Sequence, residues 1–350
     1  MTRSFKVGPR KVGPGEPAFI VAEMSANHNG NFEDAVALIH AAKQAGADAI
    51  KLQTYTAETL TFPGKQKHFR IRAGTVWDGK TLHDVYKKAF MPWGWQPRLK
   101  EIAQESGLQL FSSVFDESSV DFLEKMEVPA YKISSFELVD VGLIAKVART
   151  RKPIIISTGM ATEAEIAEAV STARHAGANK IALLKCTSSY PAPIESLDLR
   201  GIEWLQKKFR VPVGFSDHTL GAMAAVCAVT LGACIIEKHL TLSRSLRGPD
   251  AGFSSEPDEF RDMVNQIRAA EKALGKTGWQ KSAADAKSRA LRKSLFVVRD
   301  MHRGEKFSAE NLRCIRPGCG LHPRYLKRAL GKRAAAEIRA GTPLTTDLLS

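Results

Sequence analysis

Apolar and polar residues alternate regularly along the first 275 residues of the chain. Short runs rich in β-branched residues, typical of buried strands, are each followed by a longer stretch with a helical period. The longer stretches include Asn31–Ala45, Thr162–Ala176 and Glu256–Leu274. The predicted strands are Ala18–Ala22, Ala49–Gln53, Leu108–Ser112, Ala130–Ile133, Ile154–Ser157, Ile181–Leu184, Val211–Gly214 and Cys234–Glu237. Eight strand–helix units predict an α/β fold, a (β/α)8 TIM barrel.

A doubly wound parallel sheet is the alternative fold, and it commonly carries a glycine-rich fingerprint after its first strand. No such fingerprint follows Ala18–Ala22. A long insertion, from Thr54 to about Trp95, separates the second predicted strand from its helix. It contains the segments Gln66-Lys67-His68 and Val76-Trp77-Asp78-Gly79. Because the βα loops of a barrel lie at its active face, we expect this insertion to cover that face.

The last part of the chain has a different pattern. Residues 276–289 are polar and are predicted to link a barrel domain, 1–275, to a second domain, 290–350. Two sets of residues in the second domain recur at the same spacing. They are Gly304, Phe307, Ser308, Glu310 and Leu312, and then Gly341, Leu344, Thr345, Asp347 and Leu349. These half-repeats predict a compact β-rich module with pseudo-symmetry.

Positive charge is concentrated at the end of the chain. The whole chain has a net charge of +14, and residues 281–350 hold sixteen Lys and Arg against six Asp and Glu. Nucleic-acid binding is one interpretation of such a region. Neither a helix-turn-helix pattern, nor zinc-finger spacing, nor interleaved aromatic residues support it, so we expect no nucleic-acid partner. The basic region is instead expected to help attract an anionic substrate.

Cysteine usage and hydropathy bear on the compartment. The five cysteines form no CxxC pair and no repeated spacing, which is typical of reduced thiols in a cytoplasmic protein. The first residues are polar and basic and do not resemble a signal peptide. The most apolar stretch, Gly221–Ile236, is too short to span a bilayer. We therefore expect a cytoplasmic location and no membrane partner.

Polar side chains lie at the carboxyl ends of all eight predicted strands, where barrel enzymes carry their catalytic groups. Lys51, Lys132 and several hydroxyls suit a compact dianion, because ammonium groups supply charge and hydroxyls supply directed donors. The hydroxyls belong to Ser113, Ser135, Ser157, Ser188 and Ser216. The pattern favours a pocket for a phosphate and a carboxylate. The alternative is that Lys51 or Lys132 forms a Schiff base with a carbonyl substrate, as in aldolases.

Two histidines, His218 and His239, lie at the ends of neighbouring predicted strands. This placement brings two imidazoles side by side. Together with water and substrate oxygens they form a candidate site for one octahedral divalent metal ion. The alternative is that each histidine is a general base or a hydrogen-bonded structural group.

Several of these segments, taken in order, resemble the sialic acid synthase family. They are Glu23-Met24-Ser25-Ala26-Asn27-His28-Asn29-Gly30, Gly46-Ala47-Asp48-Ala49-Ile50-Lys51-Leu52-Gln53-Thr54, Tyr131-Lys132-Ile133-Ser134-Ser135, Ser157-Thr158-Gly159-Met160, Gly214-Phe215-Ser216-Asp217-His218-Thr219 and Glu237-Lys238-His239. The tail, with Ile315-Arg316-Pro317-Gly318 and Leu330-Gly331-Lys332-Arg333, resembles the antifreeze-like SAF domain of that family. The resemblance implies a TIM barrel followed by a small β-rich SAF domain.

The resemblance also implies a reaction, the condensation of phosphoenolpyruvate with an acylamino hexose. It implies that phosphoenolpyruvate is bound by Lys51, Ser113, Lys132, Ser135, Ser157, Ser188 and Ser216. Glu137 and Glu23 match catalytic carboxylates, and His218 and His239 match ligands of Mn²⁺, or of Mg²⁺ or Co²⁺ in its place. The sugar is implied to contact Glu23, Asn27, Tyr190, Asp250 and Arg316. Arg316 matches an arginine that the SAF domain lends to the partner barrel, which implies a domain-swapped homodimer.

Within this family, the sequence around Ser25, Trp77 and Ser188 resembles the branch that makes pseudaminic acid. The implied sugar is 2,4-diacetamido-2,4,6-trideoxy-L-altrose. Synthesis of N-acetylneuraminate or legionaminate by the same chemistry is the nearest alternative, and a non-catalytic SAF-type sugar-binding protein is a more distant one. Two segments depart from the expected sequences: Arg292-Lys293-Ser294 stands in place of the more usual Arg-Arg-Ser, and Gly248-Pro249-Asp250 in place of the Gly-Val-Asp of this branch.

Overall fold

The computed structural model describes residues 3–72, 78–246, 248–275, 278 and 282–350. The chain divides into two compact units, Met1–Gly275 and Lys276–Ser350. The first unit begins with a short antiparallel hairpin of β1, Phe5–Val7, and β2, Arg10–Val12. The hairpin is followed directly by the barrel.

Eight parallel strands close into a barrel in the order β10-β3-β4-β5-β6-β7-β8-β9. They are β3 Phe19–Glu23, β4 Ala49–Thr54, β5 Gln109–Val114, β6 Tyr131–Ile133, β7 Ile154–Ser157, β8 Ile181–Cys186, β9 Val213–Asp217 and β10 Ile235–His239. Each lies within three residues of a predicted strand at both ends, so the predicted TIM barrel is confirmed. The largest shift is in β9, which extends to Asp217 because Ser216 and Asp217 pair with the neighbouring strands.

Helices follow the strands and begin at capping residues. They are α1 Phe32–Gln44, α2 Ala57–Leu60, α3 Leu82–Ala89, α4 Gln96–Glu105, α5 Glu117–Lys125, α6 Val141–Arg149, α7 Glu163–His175, α8 Gly201–Phe209, α9 Met223–Thr230 and α10 Pro257–Leu274. Asn31 caps α1 and Thr162 caps α7, since each side chain accepts a hydrogen bond from a backbone N–H of the first turn. In α10, Pro257 occupies the first helical position, where its missing N–H costs nothing.

Two apolar layers lie on the two sides of the barrel wall. Ile20 of β3 packs with the helices in the outer layer, while its neighbours Phe19 and Val21 lie in the inner cluster. This alternation follows from the two-residue period of a strand. The inner cluster also contains Phe5 and Val12 of the hairpin. The hairpin therefore closes the amino-terminal end of the barrel, opposite the carboxyl ends of the strands.

The second unit is a small β-rich module. It contains α11 Ala283–Arg289, β11 Ser294–Val297, β12 Leu312–Ile315 and α12 Leu326–Ala329, with β11 and β12 antiparallel. The predicted half-repeats occupy equivalent environments: Gly304 and Gly341 both have positive φ, and Phe307 and Leu344 are both buried in its core. Helix α11 lies within the segment predicted as a linker, where Ser282 caps its first turn.

Throughout the described ranges, we find no helix that combines the length and the apolar character needed to cross a membrane.

Candidate active site

The polar residues of the strand ends face the interior of the barrel. In β10, Ile235 belongs to the inner cluster and Ile236 to the outer one. Because side chains alternate along a strand, Glu237 and His239 also face inward, whereas Lys238 faces outward. The same alternation applies to the other strands and collects a set of charged and hydroxyl side chains above the inner cluster.

Lys51 lies at the centre of a buried charge cluster. Its Nζ is 2.5 Å from Glu23 Oε2 and 3.5 Å from Glu237 Oε1, and it donates to Ser113 Oγ at 3.0 Å. Burial lowers the pKa of Lys51, but the two carboxylates outweigh burial and the net pKa is raised. Lys51 is therefore held as an ammonium ion.

Lys132 shares the carboxylate of Glu237 with Lys51. The distance from Lys132 Nζ to Glu237 Oε1 is 3.9 Å, and Ser216 Oγ donates to the same oxygen at 3.3 Å. Burial lowers the pKa of Lys132, and the charge of Lys51 adds to this effect against the attraction of Glu237. Both lysines are only 2% exposed. Two cations held apart by one shared carboxylate form a site that can accept a compact dianion.

Three of the predicted serines lie around the end of β7: Ser157 is its last residue, and Ser135 and Ser188 approach Gly159. A Cβ atom on Gly159 would lie 2.2 Å from Ser188 Oγ and 2.6 Å from Ser135 Oγ, so only glycine fits between the two hydroxyls. The buried Oγ atoms of Ser157 and Ser188 have no hydrogen-bond partner among the described residues. Buried hydroxyls usually find partners, so this group is suited to bind the oxygens of a ligand.

His218 and His239 lie next to each other, with ring centroids 5.5 Å apart. His218 Nδ1 is 2.9 Å from the Thr187 carbonyl, and since a carbonyl only accepts, Nδ1 carries the proton and Nε2 is free to bind a metal. Burial and the nearby His218 lower the pKa of His239 well below its usual range, and its Nδ1 has no partner in the described structure. His239 is thus held neutral with a free nitrogen, the form that binds metal, whereas for His218 burial is outweighed by contacts with Cys186 and the Thr187 carbonyl, which raise its pKa.

The two histidines fit a divalent cation only as part of a larger coordination set. Within the described residues, no group of three or more His, Cys, Asp or Glu side chains is arranged to hold a metal ion. Water and substrate oxygens would therefore complete the coordination sphere. This is typical of catalytic metal sites, which keep positions open for substrate.

A second polar network lies on the side of Glu23 away from Lys51. Gln53 Nε2 donates to Glu23 Oε1 and to Ser25 Oγ, both at 2.9 Å, and Ser25 Oγ donates in turn to Asp250. Burial raises the pKa of Glu23 to about 7, although Lys51 lowers it. Burial also raises the pKa of Asp250. Glu23 can therefore exchange a proton near neutral pH, and it is linked through Gln53 and Ser25 to Asp250.

Glu137 follows β6 in a short helical turn. Burial raises its pKa to about 7, although Lys132 lowers it, and its Oε2 has no partner in the described structure. The pKa of Tyr86 in α3 is raised, mainly by burial and also by the negative charge of Glu137. The insertion that carries α3 thus reaches the carboxyl-end face, as its position after β4 predicts, while Val76 and Trp77 of that insertion lie outside the described residues.

Tyr190 and Asn27 border the site in different ways. The Tyr190 ring lies 4.3 Å from that of His218 and 5.0 Å from that of Phe253, and it is 39% exposed. Asn27 is fully buried, and its Nδ2 donates to the Leu240 carbonyl and to Ser254 Oγ, each at 2.9 Å. The amide donors of Asn27 are thus used to hold the loop after β10, and its Oδ1 is left for another contact.

Arg316 belongs to the second unit and is exposed. Ser294 Oγ donates to the Pro317 carbonyl at 2.6 Å and accepts from the Gly320 N–H at 2.9 Å. These bonds fix the loop that carries Arg316. Arg292-Lys293-Ser294 stands where Arg-Arg-Ser is expected, so the departure is at Lys293 and leaves the contacts of Ser294 intact.

Ser25, Gln53 and Glu237 belong to the site although the sequence predicted no role for them. Glu237 could have been found from strand alternation, since it lies two residues before His239 and must face the same way. Ser25 could not, because its contact with Asp250 joins residues 225 positions apart. It also depends on a left-handed backbone at Ser25, where φ is +45°.

Comparison with known proteins agrees with this geometry. The NeuB family matches residues 38–278, and the SAF domain matches residues 292–350. The chain belongs to the NeuB family. The resemblance to sialic acid synthases and the predicted SAF domain are thereby confirmed.

Individual relatives cover nearly the whole chain. Pseudaminic acid synthase of Campylobacter jejuni is 43% identical over 93% of this chain and 95% of its own length. N,N'-diacetyllegionaminic acid synthase of Legionella pneumophila is 37% identical over 96% of each chain. The crystal structure of N-acetylneuraminic acid synthetase from Leptospira borgpetersenii, in complex with citrate, superposes with a TM-score of 0.74 at 31% identity, covering 82% of this chain and 95% of that one.

Proposed function

We propose that the chain is a pseudaminic acid synthase. It condenses phosphoenolpyruvate with 2,4-diacetamido-2,4,6-trideoxy-L-altrose and water, and releases pseudaminic acid and phosphate. The observation that carries this proposal is the buried pair Lys51 and Lys132 beside the imidazoles of His218 and His239. The chain is 43% identical to a pseudaminic acid synthase and 37% identical to a legionaminic acid synthase, which supports the altrose sugar over the precursor of legionaminic acid.

In this proposal phosphoenolpyruvate binds between the two lysines and the serine hydroxyls. Lys51 and Lys132 neutralise the phosphate and carboxylate, and Ser135, Ser157 and Ser188 donate to their oxygens. Ser113 orients Lys51 by accepting a hydrogen bond from its ammonium group, and Ser216 orients Glu237 by donating one to its carboxylate. Holding the anion in this way leaves its methylene carbon free to meet the aldehyde in a fixed orientation, which lowers the entropic part of the barrier.

The protonated state of Lys51 also argues against Lys51 as the lysine of a Schiff-base aldolase. Such a lysine must lose its proton before its amine can attack a carbonyl. Here Lys51 is paired with Glu23 and Glu237, and its pKa is raised. An anion-binding role for Lys51 agrees with this charge state.

A divalent cation, proposed as Mn²⁺, would be held by His218 and His239 with water and substrate oxygens. When bound, it supplies Lewis-acid polarisation of the sugar aldehyde. The carbon–carbon bond forms between the phosphoenolpyruvate methylene carbon and the aldehyde carbon. Water then adds to the carbon that bears phosphate, and phosphate leaves by cleavage of its C–O bond.

Two carboxyl groups are proposed to handle the protons of this sequence. Glu137 accepts the proton that the attacking water loses, and Glu23 supplies the proton that the aldehyde oxygen gains. The hydroxyl proton of the tetrahedral intermediate leaves with phosphate, and proton exchange with solvent returns Glu137 and Glu23 to their starting states. Both pKa values are raised to about 7, at which each group can serve in either protonation state at neutral pH. Glu23, Tyr190 and Asp250, with Asn27 behind them, are proposed to face the sugar.

We also propose a homodimer in which Arg316 of one SAF domain completes the barrel site of the other subunit. The support is the position of Arg316 on an exposed loop held by Ser294, and the match of this region to the SAF domain. A cytoplasmic location is supported by the five cysteines, all of which are free thiols.

Phosphate release from phosphoenolpyruvate, measured against a panel of open-chain acylamino hexoses, tests the proposed function. The 6-deoxy diacetamido hexose is expected to react about 100-fold faster in kcat/KM than N-acetylmannosamine, since hydrogen-bonding sites reject sugars that leave their groups unpaired. Equal turnover of N-acetylmannosamine would move the chain to the neuraminate branch. No phosphate release with any acylamino hexose would contradict the phosphoenolpyruvate chemistry itself.

The pH profile is expected to identify Glu137 as the base. Below about pH 7 its carboxyl is protonated and cannot accept a proton, so kcat/KM should fall as the pH decreases through that value. Glu137→Gln should lower kcat by about 100-fold or more and remove this limb. Ionisation of the substrates affects the unmodified enzyme and Glu137→Gln in the same way, so it does not account for a difference between their pH profiles. Glu168→Gln, on the exposed face of α7, is the control variant and should keep the unmodified profile. An unchanged limb in Glu137→Gln would assign it to another group.

A further inference from the structure

A second pair of charged residues lies on the strands that carry the two histidines, but on their outer side. Asp217 ends β9 and Lys238 is the residue before His239 in β10. They are direct partners in the strand register, and Lys238 Nζ lies 2.7 Å from Asp217 Oδ2. The side chain of Asp217 is 0% exposed and that of Lys238 is 1% exposed. The pair is thus buried between the barrel wall and the helices.

The hydrogen bonds of this pair involve Asp217 and Thr219, the residues on either side of His218 in the sequence. Lys238 Nζ also donates to the Thr219 carbonyl at 2.6 Å. Asp217 Oδ1 accepts from the Thr219 backbone N–H at 2.9 Å and from its hydroxyl at 2.8 Å. Both neighbours of His218 are therefore bound to the neighbour of His239. A shift of one histidine relative to the other would break several buried hydrogen bonds.

Stability alone does not explain such an arrangement. Burying two charges costs several kcal/mol per ion, and apolar residues of similar volume are often as stabilising as a buried ion pair. A buried pair whose oxygens and ammonium group are all bonded does fix geometry. The pair adjoins Ser216 and Glu237 as well as the two histidines. Ser216 and Glu237 are held by their own contacts inside the barrel, whereas the backbone that carries the histidines depends on the pair.

We propose that Asp217 and Lys238 are positioning residues that set the distance and orientation of His218 and His239 for one divalent cation. This role rests on the proposed metal site. Metal ligands must lie within about 0.2 Å of their ideal distance, and replacing outer groups that orient them lowers metal affinity by about 10- to 100-fold. The Thr187 carbonyl orients the His218 ring, whereas the Asp217–Lys238 pair orients the backbone that carries both rings.

Mn²⁺ binding, followed by the electron paramagnetic resonance signal of the free ion, tests this role directly. Asp217→Asn, Lys238→Met and the double variant Asp217→Leu with Lys238→Met are each expected to bind Mn²⁺ about tenfold or more weakly than the unmodified protein. The double variant leaves no lone buried charge, so it decides the question where a single variant fails to fold. Phosphoenolpyruvate affinity, measured by calorimetry in chelator, should change by less than about threefold. Lys51 and Lys132 lie on other strands, and Ser216 and Glu237, which adjoin the pair on β9 and β10, keep their contacts to each other and to both lysines.

A matched control is Lys146→Met, which removes the 2.8 Å ion pair with Asp121 on the outer helices. It should leave Mn²⁺ affinity unchanged. Mn²⁺ affinity within about threefold of the unmodified value in the double variant would overturn the positioning role. A parallel loss of phosphoenolpyruvate affinity would overturn it as well, because it would indicate general disruption of the barrel. If the unmodified protein does not bind Mn²⁺, the proposed metal site fails and this role fails with it.

Discussion

Chelation of divalent cations is expected to abolish turnover, and added Mn²⁺ is expected to restore it. The physical reason is that the proposed reaction polarises the aldehyde with a Lewis acid, which the neighbouring imidazoles of His218 and His239 would hold. His218→Ala and His239→Ala should each lower kcat/KM by about 1000-fold or more, equivalent to about 4 kcal/mol. Neither variant should recover at Mn²⁺ concentrations that saturate the unmodified enzyme. The measurement is phosphate release with and without EDTA.

The same experiment separates the synthase from the aldolase alternative. A Schiff-base enzyme would keep its activity in EDTA and would be trapped by borohydride in the presence of substrate. His175→Ala, on the exposed side of α7, is a control that should retain full activity and full metal dependence. Full activity of the unmodified chain in chelator would contradict the metal proposal.

The barrel could be predicted from the sequence because its strands are short, apolar and β-branched. The run Ile154–Ser157 is a strand in both the prediction and the structure, since nothing polar interrupts it. The pairing of His218 with His239 followed from the same logic, because strands that are neighbours in a barrel place their ends together. Local pattern and fold topology are sufficient for such residues.

Other features depend on contacts that no local pattern encodes. The amino-terminal hairpin was not predicted, because Phe5, Val7 and Val12 are isolated apolar residues in a basic segment. Only the closed barrel shows that these three side chains cover its amino-terminal end. The charge cluster is similar: Lys51 was predicted as an anion ligand, but its two carboxylate partners become visible only when β3, β4 and β10 are brought side by side.

The roles of these residues come from chemistry rather than from position alone. Lys51 and Lys132 have similar burial, yet the pKa of one is raised and that of the other is lowered, because Lys51 contacts two carboxylates and Lys132 approaches one from 3.9 Å. An incoming dianion would add favourable charge to both lysines. The pocket is therefore matched to a ligand that carries more negative charge than Glu237 alone supplies.

Arg316→Ala and His239→Ala, each nearly inactive alone, are expected to restore activity when they are unfolded and refolded together. The proposed dimer places Arg316 of one chain in the barrel site of its partner. In a mixed dimer, one site then combines an intact barrel with an intact arginine, while the other site carries both lesions. If chains pair at random, roughly half of the dimers are mixed and roughly a quarter of all sites recover.

Two controls make this result interpretable. A tag on one chain, followed by capture of the other, measures the fraction of mixed dimers, and Arg339→Ala, another exposed arginine of the SAF unit, should keep full activity by itself. If Arg316 instead serves its own barrel, every site in the mixture retains one lesion and no activity returns. Mixed dimers that form in the expected proportion without regaining activity would therefore rule out the swapped arrangement, whereas recovery near a quarter of the unmodified rate requires that the arginine cross from one subunit to the other.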